Sequence, residues 1–233
     1  MEAFVITVKH SELSNKAADN CINSIRRFHP EINPEKFFGF TPKDKPQEML
    51  ERYQYPTHKF IDKYSRHENA MAAFLSHHKL WKYSMKSNKS IFIFEHDAQL
   101  VSPLPITKWY DEKKDKPSYK IMPTMGNIVN LGHPSYGNWY TPPNIGVNNL
   151  TSKQYFPGAH AYFIRPQGAR DLVNKSKEDA RPTDVFINLN NFKYLQEYFP
   201  FCAVARDNFS TIQRLDGVTA KHGFKKGYKL VKI

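Results

Sequence analysis

Along the chain, apolar residues first cluster as Phe4-Val5-Ile6-Thr7-Val8, a β-branched run that predicts a strand of a central sheet. A helix follows, capped by Ser14, with Ala17, Ala18, Cys21, Ile22, Ile25 and Phe28 recurring at helical spacing. His29-Pro30 closes it, because a residue before proline is driven out of helical space. Phe37-Phe38-Gly39-Phe40 predicts a second strand, stopped by Thr41-Pro42. Strand, helix, strand in this order is the start of a βαβ unit.

Residues 43–64 are weakly patterned, with a short helix expected around Gln47 to Arg52. The clearest helix comes next. Ser65-Arg66-His67-Glu68 has the form of a capping box, and Ala70, Met71, Ala73, Phe74, His77, Leu80, Trp81 and Met85 share one face. Ser87-Asn88-Lys89 turns into Ile91-Phe92-Ile93-Phe94, whose unbroken apolar character predicts a strand covered on both faces. Residues 103–117 mix prolines with charge and predict surface. Residues 122–150 are rich in Gly, Pro and Asn around Tyr136, Trp139 and Tyr140, so they read as a long loop, either disordered or a binding lid.

A strand over Ala159 to Ile164 follows Pro157-Gly158, then a helix through Leu172-Val173. Arg181-Pro182-Thr183-Asp184 opens a further helix with Val185, Phe186 and Leu189 on its apolar side. Phe201 to Ala205 is a late strand, followed by Arg206-Asp207-Asn208. No repeat or linker interrupts the pattern. It predicts a single α/β domain over residues 1–233, with a mostly parallel sheet flanked by helices and a basic tail over 217–233.

Composition narrows the class only a little. Hydrophobic residues at 40% and charged residues at 24% are ordinary for a globular chain of 233 residues. No run approaches the ~20 apolar residues of a membrane span. Met1-Glu2-Ala3-Phe4 lacks signal-peptide character, and Cys21 and Cys202 both lie in apolar surroundings, so a cytoplasmic protein with buried thiols is expected. The 34 Lys and Arg against 22 Asp and Glu give a net +12, which favours polyanionic partners such as nucleic acid, nucleotide sugars or anionic membrane surfaces.

The candidate chemistry sits where the Ile91–Phe94 run ends in Glu95-His96-Asp97. Ligands of open α/β sheets collect beyond the carboxyl ends of the strands. Two acids there can hold a hard divalent cation and, through it, a nucleotide diphosphate. The alternative is a strand that merely ends in a polar turn.

Three segments together resemble glycosyltransferase family 25, the group of lipooligosaccharide and collagen galactosyltransferases. Leu75-Ser76-His77 with Leu80-Trp81 is similar to the family's "LSH…W" helix. Ile91 to Ala98 is similar to its apolar strand ending in an acid triplet. Gly158-Ala159-His160-Ala161-Tyr162-Phe163-Ile164, Gly168-Ala169 and Pro182-Thr183-Asp184 resemble its "G-x-x-x-Y-x-I-S-x-x-G-A" block and downstream "P-x-D". Two departures stand out. His96 replaces the middle acid of the usual Glu-Asp-Asp, and Asn69-Ala70-Met71-Ala72-Ala73 replaces a glycine-bearing run before "LSH".

The resemblance implies a GT-A-like (Rossmann-like) fold, a UDP-sugar donor, a divalent metal (Mn²⁺ or Mg²⁺) and inversion at the sugar. It makes Asp97 and Glu95 the metal candidates, Asp97 the stronger. Val8, Glu95, His96, Asp97, His77 and His160 form the candidate donor-binding set, and Asp184 the candidate base. Rival roles are a metal or sugar contact, or a helix-start charge, for Asp184; a packed histidine acting from behind for His77; and a half-buried strand residue for His160. Asp207 is a weaker acid candidate.

The acceptor divides two ways: lipooligosaccharide or another glycan, or a hydroxymethylated pyrimidine in DNA. The +12 charge, compact size and tail residues Lys221, Lys225, Lys226, Lys229 and Lys232 slightly favour DNA, with Tyr136 or Trp139 stacking on an extruded base. A third reading is a non-catalytic, basic nucleic-acid-binding module. It expects DNA affinity that falls steeply with salt and no nucleotide-sugar binding.

Overall fold

The computed structural model describes residues 1–61, 65–134, 138–206, 209–212 and 229–230. In chain order the elements are β1 (Glu2–Thr7), α1 (Glu12–Phe28), β2 (Asn33–Phe38), α2 (Pro46–Arg52), α3 (His67–Ser87), β3 (Ile91–Glu95) and β4 (Ala98–Leu100). They continue with β5 (Ile106–Asp111), β6 (Lys116–Ile121), β7 (Ile128–Asn130), β8 (Gly146–Asn149), β9 (Ala161–Ile164), α4 (Pro166–Asp179), α5 (Thr183–Phe186), β10 (Gln196–Phe199) and β11 (Ala203–Ala205). A short parallel pair joins residues 209–210 to 229–230.

The central sheet has seven strands in the order β2-β1-β3-β9-β7-β10-β8. The β1–β2, β1–β3 and β7–β10 pairs are parallel, while β9 opposes both its neighbours and β8 opposes β10. Five of the seven strands therefore run one way. This is the mostly parallel α/β sheet the pattern predicts, with a reversed strand at its centre.

The unbroken apolar run of β3 has a simple cause. Ile91 and Ile93 join a core with Phe74, Trp81, Tyr162 and Leu172 under α3 and α4, whereas Phe92 and Phe94 join a second core with Cys21, Ile25 and Phe163 under α1. Successive side chains point to opposite faces of a sheet, and here both faces are covered. Cys21 and Cys202 are both buried as free thiols.

Several boundaries differ from the sequence reading. Ser11, not Ser14, caps α1 by accepting from the Ser14 N–H; Ser14 is buried and its hydroxyl accepts from the Val8 N–H at 2.8 Å, tying the end of β1 to the helix. The N-cap of α3 is Arg66, one residue beyond the expected Ser65. The second strand begins at Asn33 and stops at Phe38 because it follows β1 residue for residue. Most of residues 103–117 belongs to a β5–β6 hairpin over 106–121, with Trp109 and Tyr110 facing solvent, while Leu104 and Pro105 before it are buried. The expected loop over 122–150 holds two strands of the main sheet, β7 and β8. The Phe201–Ala205 strand shortens to β11 and pairs with β4 outside the main sheet. Val185, placed on an apolar side, is exposed. Tyr136, Asp207 and all of the tail but 229–230 lie outside the described residues.

Gly168, in the first turns of α4, lets that helix approach the start of β7. A Cβ there would fall on the Asn127 carbonyl oxygen and lie 2.7 Å from Ile128 Cγ1. The same carbonyl accepts from the Arg165 N–H at 2.9 Å. Gly168→Ala is expected to cost about 1–3 kcal/mol through backbone displacement. Thermal unfolding checks this as a fall of several degrees in the midpoint, and an unchanged midpoint contradicts it.

Candidate functional site

The helical repeat places His77 and Trp81, four residues apart on α3, one above the other. Both reach Tyr162 of β9, whose backbone pairs with Ile93 of β3. The Trp81 indole N–H donates to the Tyr162 hydroxyl oxygen at 2.8 Å. The same hydroxyl is hydrogen-bonded to His77 Nδ1, also at 2.8 Å. The His77 Nε2–H donates to Glu95 Oε1 at 3.1 Å. Trp81, Tyr162 and His77 thus form a continuous chain of hydrogen bonds ending on the carboxylate at the end of β3.

Burial alone pushes the Glu95 carboxyl upward, but the His77 hydrogen bond and the charges of His77, His96 and His160 together hold it below its ordinary 4.5. Burial raises the Tyr162 phenol well above its usual value, so it stays protonated. The second Glu95 oxygen carries no hydrogen bond among the described residues, and the side chain is 27% exposed against 1% for His77. His77 therefore orients Glu95 from behind, as a packed histidine with one exposed consequence.

A depressed carboxyl stabilises the fold above its unfolded value and loses that contribution as pH falls through the folded value. In His77→Phe the burial of Glu95 remains without its hydrogen-bond partner, so its carboxyl moves upward and takes a proton more readily. The variant is expected to lose about 2–4 kcal/mol at pH 7 and less at pH 4, where Glu95 can take a proton. Urea unfolding at the two pH values checks this; an equal loss at both removes the coupling.

The β1–β3 register sets Ile6 beside Glu95, so Val8 lies just past the same sheet edge. Its N–H donates to Ser14, and its carbonyl accepts from the Ser11 N–H at 3.1 Å and Asn15 Nδ2 at 3.2 Å. Both backbone groups of Val8 are committed to the start of α1. Across β3, the His160 carbonyl accepts from the Glu95 N–H at 2.8 Å. The His160 ring is 2% exposed, and neither of its nitrogens has a hydrogen-bond partner among the described residues. Gly132 makes room for it: a Cβ at that position would sit 2.5 Å from His160 Nε2. A buried imidazole with unpaired nitrogens costs about 1–3 kcal/mol.

Asp97 belongs to a different layer. It occupies the turn after β3, and its carbonyl accepts from the Arg206 N–H at 2.9 Å. Burial first, and then the Asp97 charge, push the Cys21 thiol on α1 far up. The side chain borders a cleft of about 430 Å³ that Asn20, Asn23, Arg27 and Arg206 also line. Glu95 is thus engaged on the α3 side of the sheet and Asp97 faces α1. His96 lies between them, where its charge helps hold the Glu95 carboxyl down.

Among the described residues no three His, Cys, Asp or Glu side chains converge as a ready-made metal site. One or two carboxylates supplemented by phosphate oxygens and water are nevertheless the usual setting of Mg²⁺ on nucleotides, and the donor set here fits that arrangement.

Asp184 lies in α5, where its Oδ1 accepts from the Val185 N–H at 2.9 Å. Its charge reaches the Tyr155 phenol, whose proton is held more tightly by burial and then by Asp184. Phe186, two residues on, stacks on Trp81 with ring centroids 5.6 Å apart. The helix bearing Asp184 is therefore anchored on the same indole that begins the chain to Glu95. Asp184 and Glu95 border opposite ends of the 155–160 segment, through Tyr155 and His160 respectively.

Sequence reasoning passed over Tyr162 and Trp81 as polar partners. The "LSH…W" and "G-x-x-x-Y" segments held the signal, since they supply each end of the chain. Glu197, fully buried on β10, was also missed. Its carboxylate accepts from the Thr151 and Ser152 N–H groups at 2.7 and 2.9 Å and from both hydroxyls. Four donors account for its burial as an anchor of that loop.

No helix among the described residues is long and apolar enough to cross a membrane. No curated protein matches the chain. A family model described as "Glycosyltransferase family 25 (LPS biosynthesis protein)" matches residues 1–187, which takes in β1, the α3 network, the acid-ended strand and Asp184. With the matched segments converging on one buried network at the sheet edge, the chain belongs to glycosyltransferase family 25.

Proposed function

We propose that this glycosyltransferase moves a sugar from a UDP-sugar to a hydroxyl of a lipopolysaccharide-type glycan, with inversion at the anomeric carbon. The observation that carries the reading is the Trp81–Tyr162–His77–Glu95 chain, which fixes a carboxylate where α/β sheets receive nucleotides. His160 is buried beside Glu95 and supports the donor edge through its carbonyl, which accepts from the Glu95 N–H. Asp97 is the carboxylate that would hold Mn²⁺ or Mg²⁺, while Glu95 is held on the other side of the sheet by His77. Such a cation would offset the charge that appears on the departing diphosphate. The acceptor oxygen bonds to the anomeric carbon as the bond from that carbon to the diphosphate oxygen breaks. UDP leaves with the electron pair, and the acceptor proton passes to Asp184.

The net charge of +12 supports a second reading, transfer to a hydroxymethylated pyrimidine in DNA. Its structural supports are thinner. The lysine tail and Tyr136 lie outside the described residues, and Trp139 packs edge-on against His133 and Phe201, with centroids 5.1 and 5.8 Å away. The family description also favours the glycan. The non-catalytic module has only the charge in its favour.

The test offers UDP-sugars with Mn²⁺ to lipooligosaccharide and to hydroxymethylcytosine DNA, and weighs the products. The glycan is expected to gain one hexose. A gain on DNA alone selects the second reading, and a gain on neither overturns both.

A further inference from the structure

On the side of α3 facing α2, Lys79, Lys82 and Lys86 recur at i, i+3 and i+7 and line a cleft of about 400 Å³. Its apolar walls come from Phe40, Met49, Tyr53 and Leu75, and no carboxylate lines it. Lysines elsewhere nearby are neutralised: Lys45 pairs with Glu48, and Lys89 with Glu2. None of these three forms an ion pair within the described structure. Two of the charges lie over rings, Lys82 Nζ 4.6 Å from the Tyr53 centroid and Lys79 Nζ 5.2 Å from that of Phe40. Like charges along one helix face repel, so the row is stabilised by a bound anion.

One end of the cleft lies beyond the same sheet edge as Glu95. Phe40 lies past the end of β2, which runs parallel to β1 and β3, so it sits beyond the same sheet edge as Glu95. The Phe40 N–H donates to Ser76 Oγ at 2.8 Å, and Ser76 directly precedes His77. From there the lysine row leads away along α3, and seven residues of helix span ~10 Å between Lys79 and Lys86. Aromatic walls suit the apolar faces of sugar rings, while an unopposed row of ammonium groups suits phosphate.

We propose that this cleft seats a phosphorylated saccharide, the anionic part of an extended glycan acceptor whose reactive hydroxyl lies at the Glu95 edge. The inference rests on the glycan reading given above, yet its test needs no turnover. Titration calorimetry compares de-O-acylated lipooligosaccharide carrying its phosphates with the same glycan after phosphatase treatment. The unaltered protein is expected to bind the phosphorylated form about tenfold more tightly, the sum of a few exposed ion pairs. Lys79→Gln, Lys82→Gln and Lys86→Gln combined should abolish that preference.

Equal affinity of the unaltered protein for both glycans overturns the proposal, and this comparison does not depend on any variant folding. A preference that survives the triple variant overturns the location. Tighter binding of duplex DNA or phosphatidylglycerol vesicles, lost in the triple variant, reassigns the cleft and also overturns it. If phosphoglycan binds as expected but no sugar is transferred, the assigned activity fails while the cleft assignment stands.

Discussion

Asp184→Asn is expected to slow sugar transfer by about 10²–10⁴-fold, the range over which a positioned general base acts. The substitution preserves shape, and an asparagine oxygen can still accept from the Val185 N–H, so the start of α5 keeps its local hydrogen bond. Phe186 remains stacked on Trp81, and the helix keeps its place. The unfolding midpoint should therefore stay within a few degrees while turnover collapses. Single-turnover transfer at saturating donor and acceptor separates chemistry from binding. A drop of less than tenfold there would leave Asp184 as a helix-start charge or a sugar contact, and the proton would need another acceptor.

What the sequence discloses about this site follows from the physics of each element. The β1–α1–β2 start and the doubly covered β3 are legible because local periodicity and an unbroken apolar run report burial directly. β7 and β8 are not, since each has only three or four residues set among Gly, Pro and Asn, and each is a strand only through pairing with distant chain. The reversal of β9 is likewise a property of topology. No residue of Ala161–Ile164 records which way the strand runs. The site shows the same division. His77 falls on the buried stripe of α3 and reads as packing, which is correct for its environment and silent about its partner. Its role depends on Tyr162, 85 positions away, and on Glu95, 18 positions away. The spacing of Glu95 and Asp97 also misleads. Along an unbroken strand residues i and i+2 share a face, but the turn at His96 and Asp97 breaks the alternation and sends the second acid toward α1.

That separation gives the two acids different expected phenotypes and makes Asp97 the sharper probe of the donor site. Glu95 is a terminus of the buried network, so its removal strips His77 of its partner and perturbs the fold along with function. The Asp97 side chain borders a cleft with its Oδ1 buried, and one contact of the residue, from the Arg206 N–H to its backbone carbonyl, survives truncation. Asp97→Ala keeps the backbone contact to Arg206, and the unfolding midpoint measured beside transfer separates loss of fold from loss of function. Transfer should fall by about 10³-fold or more, the scale on which deleting a preorganised electrostatic contact to a developing charge acts. Binding provides the independent reading. Titrating UDP into the unaltered protein should give a Kd that tightens with added Mn²⁺, and the Asp97→Ala protein should lose that dependence while keeping the metal-free affinity. If manganese still tightened UDP binding in the variant, Asp97 would not be the cation's ligand, and the positive charge would have to be held at Glu95 or at an acid beyond the described edge.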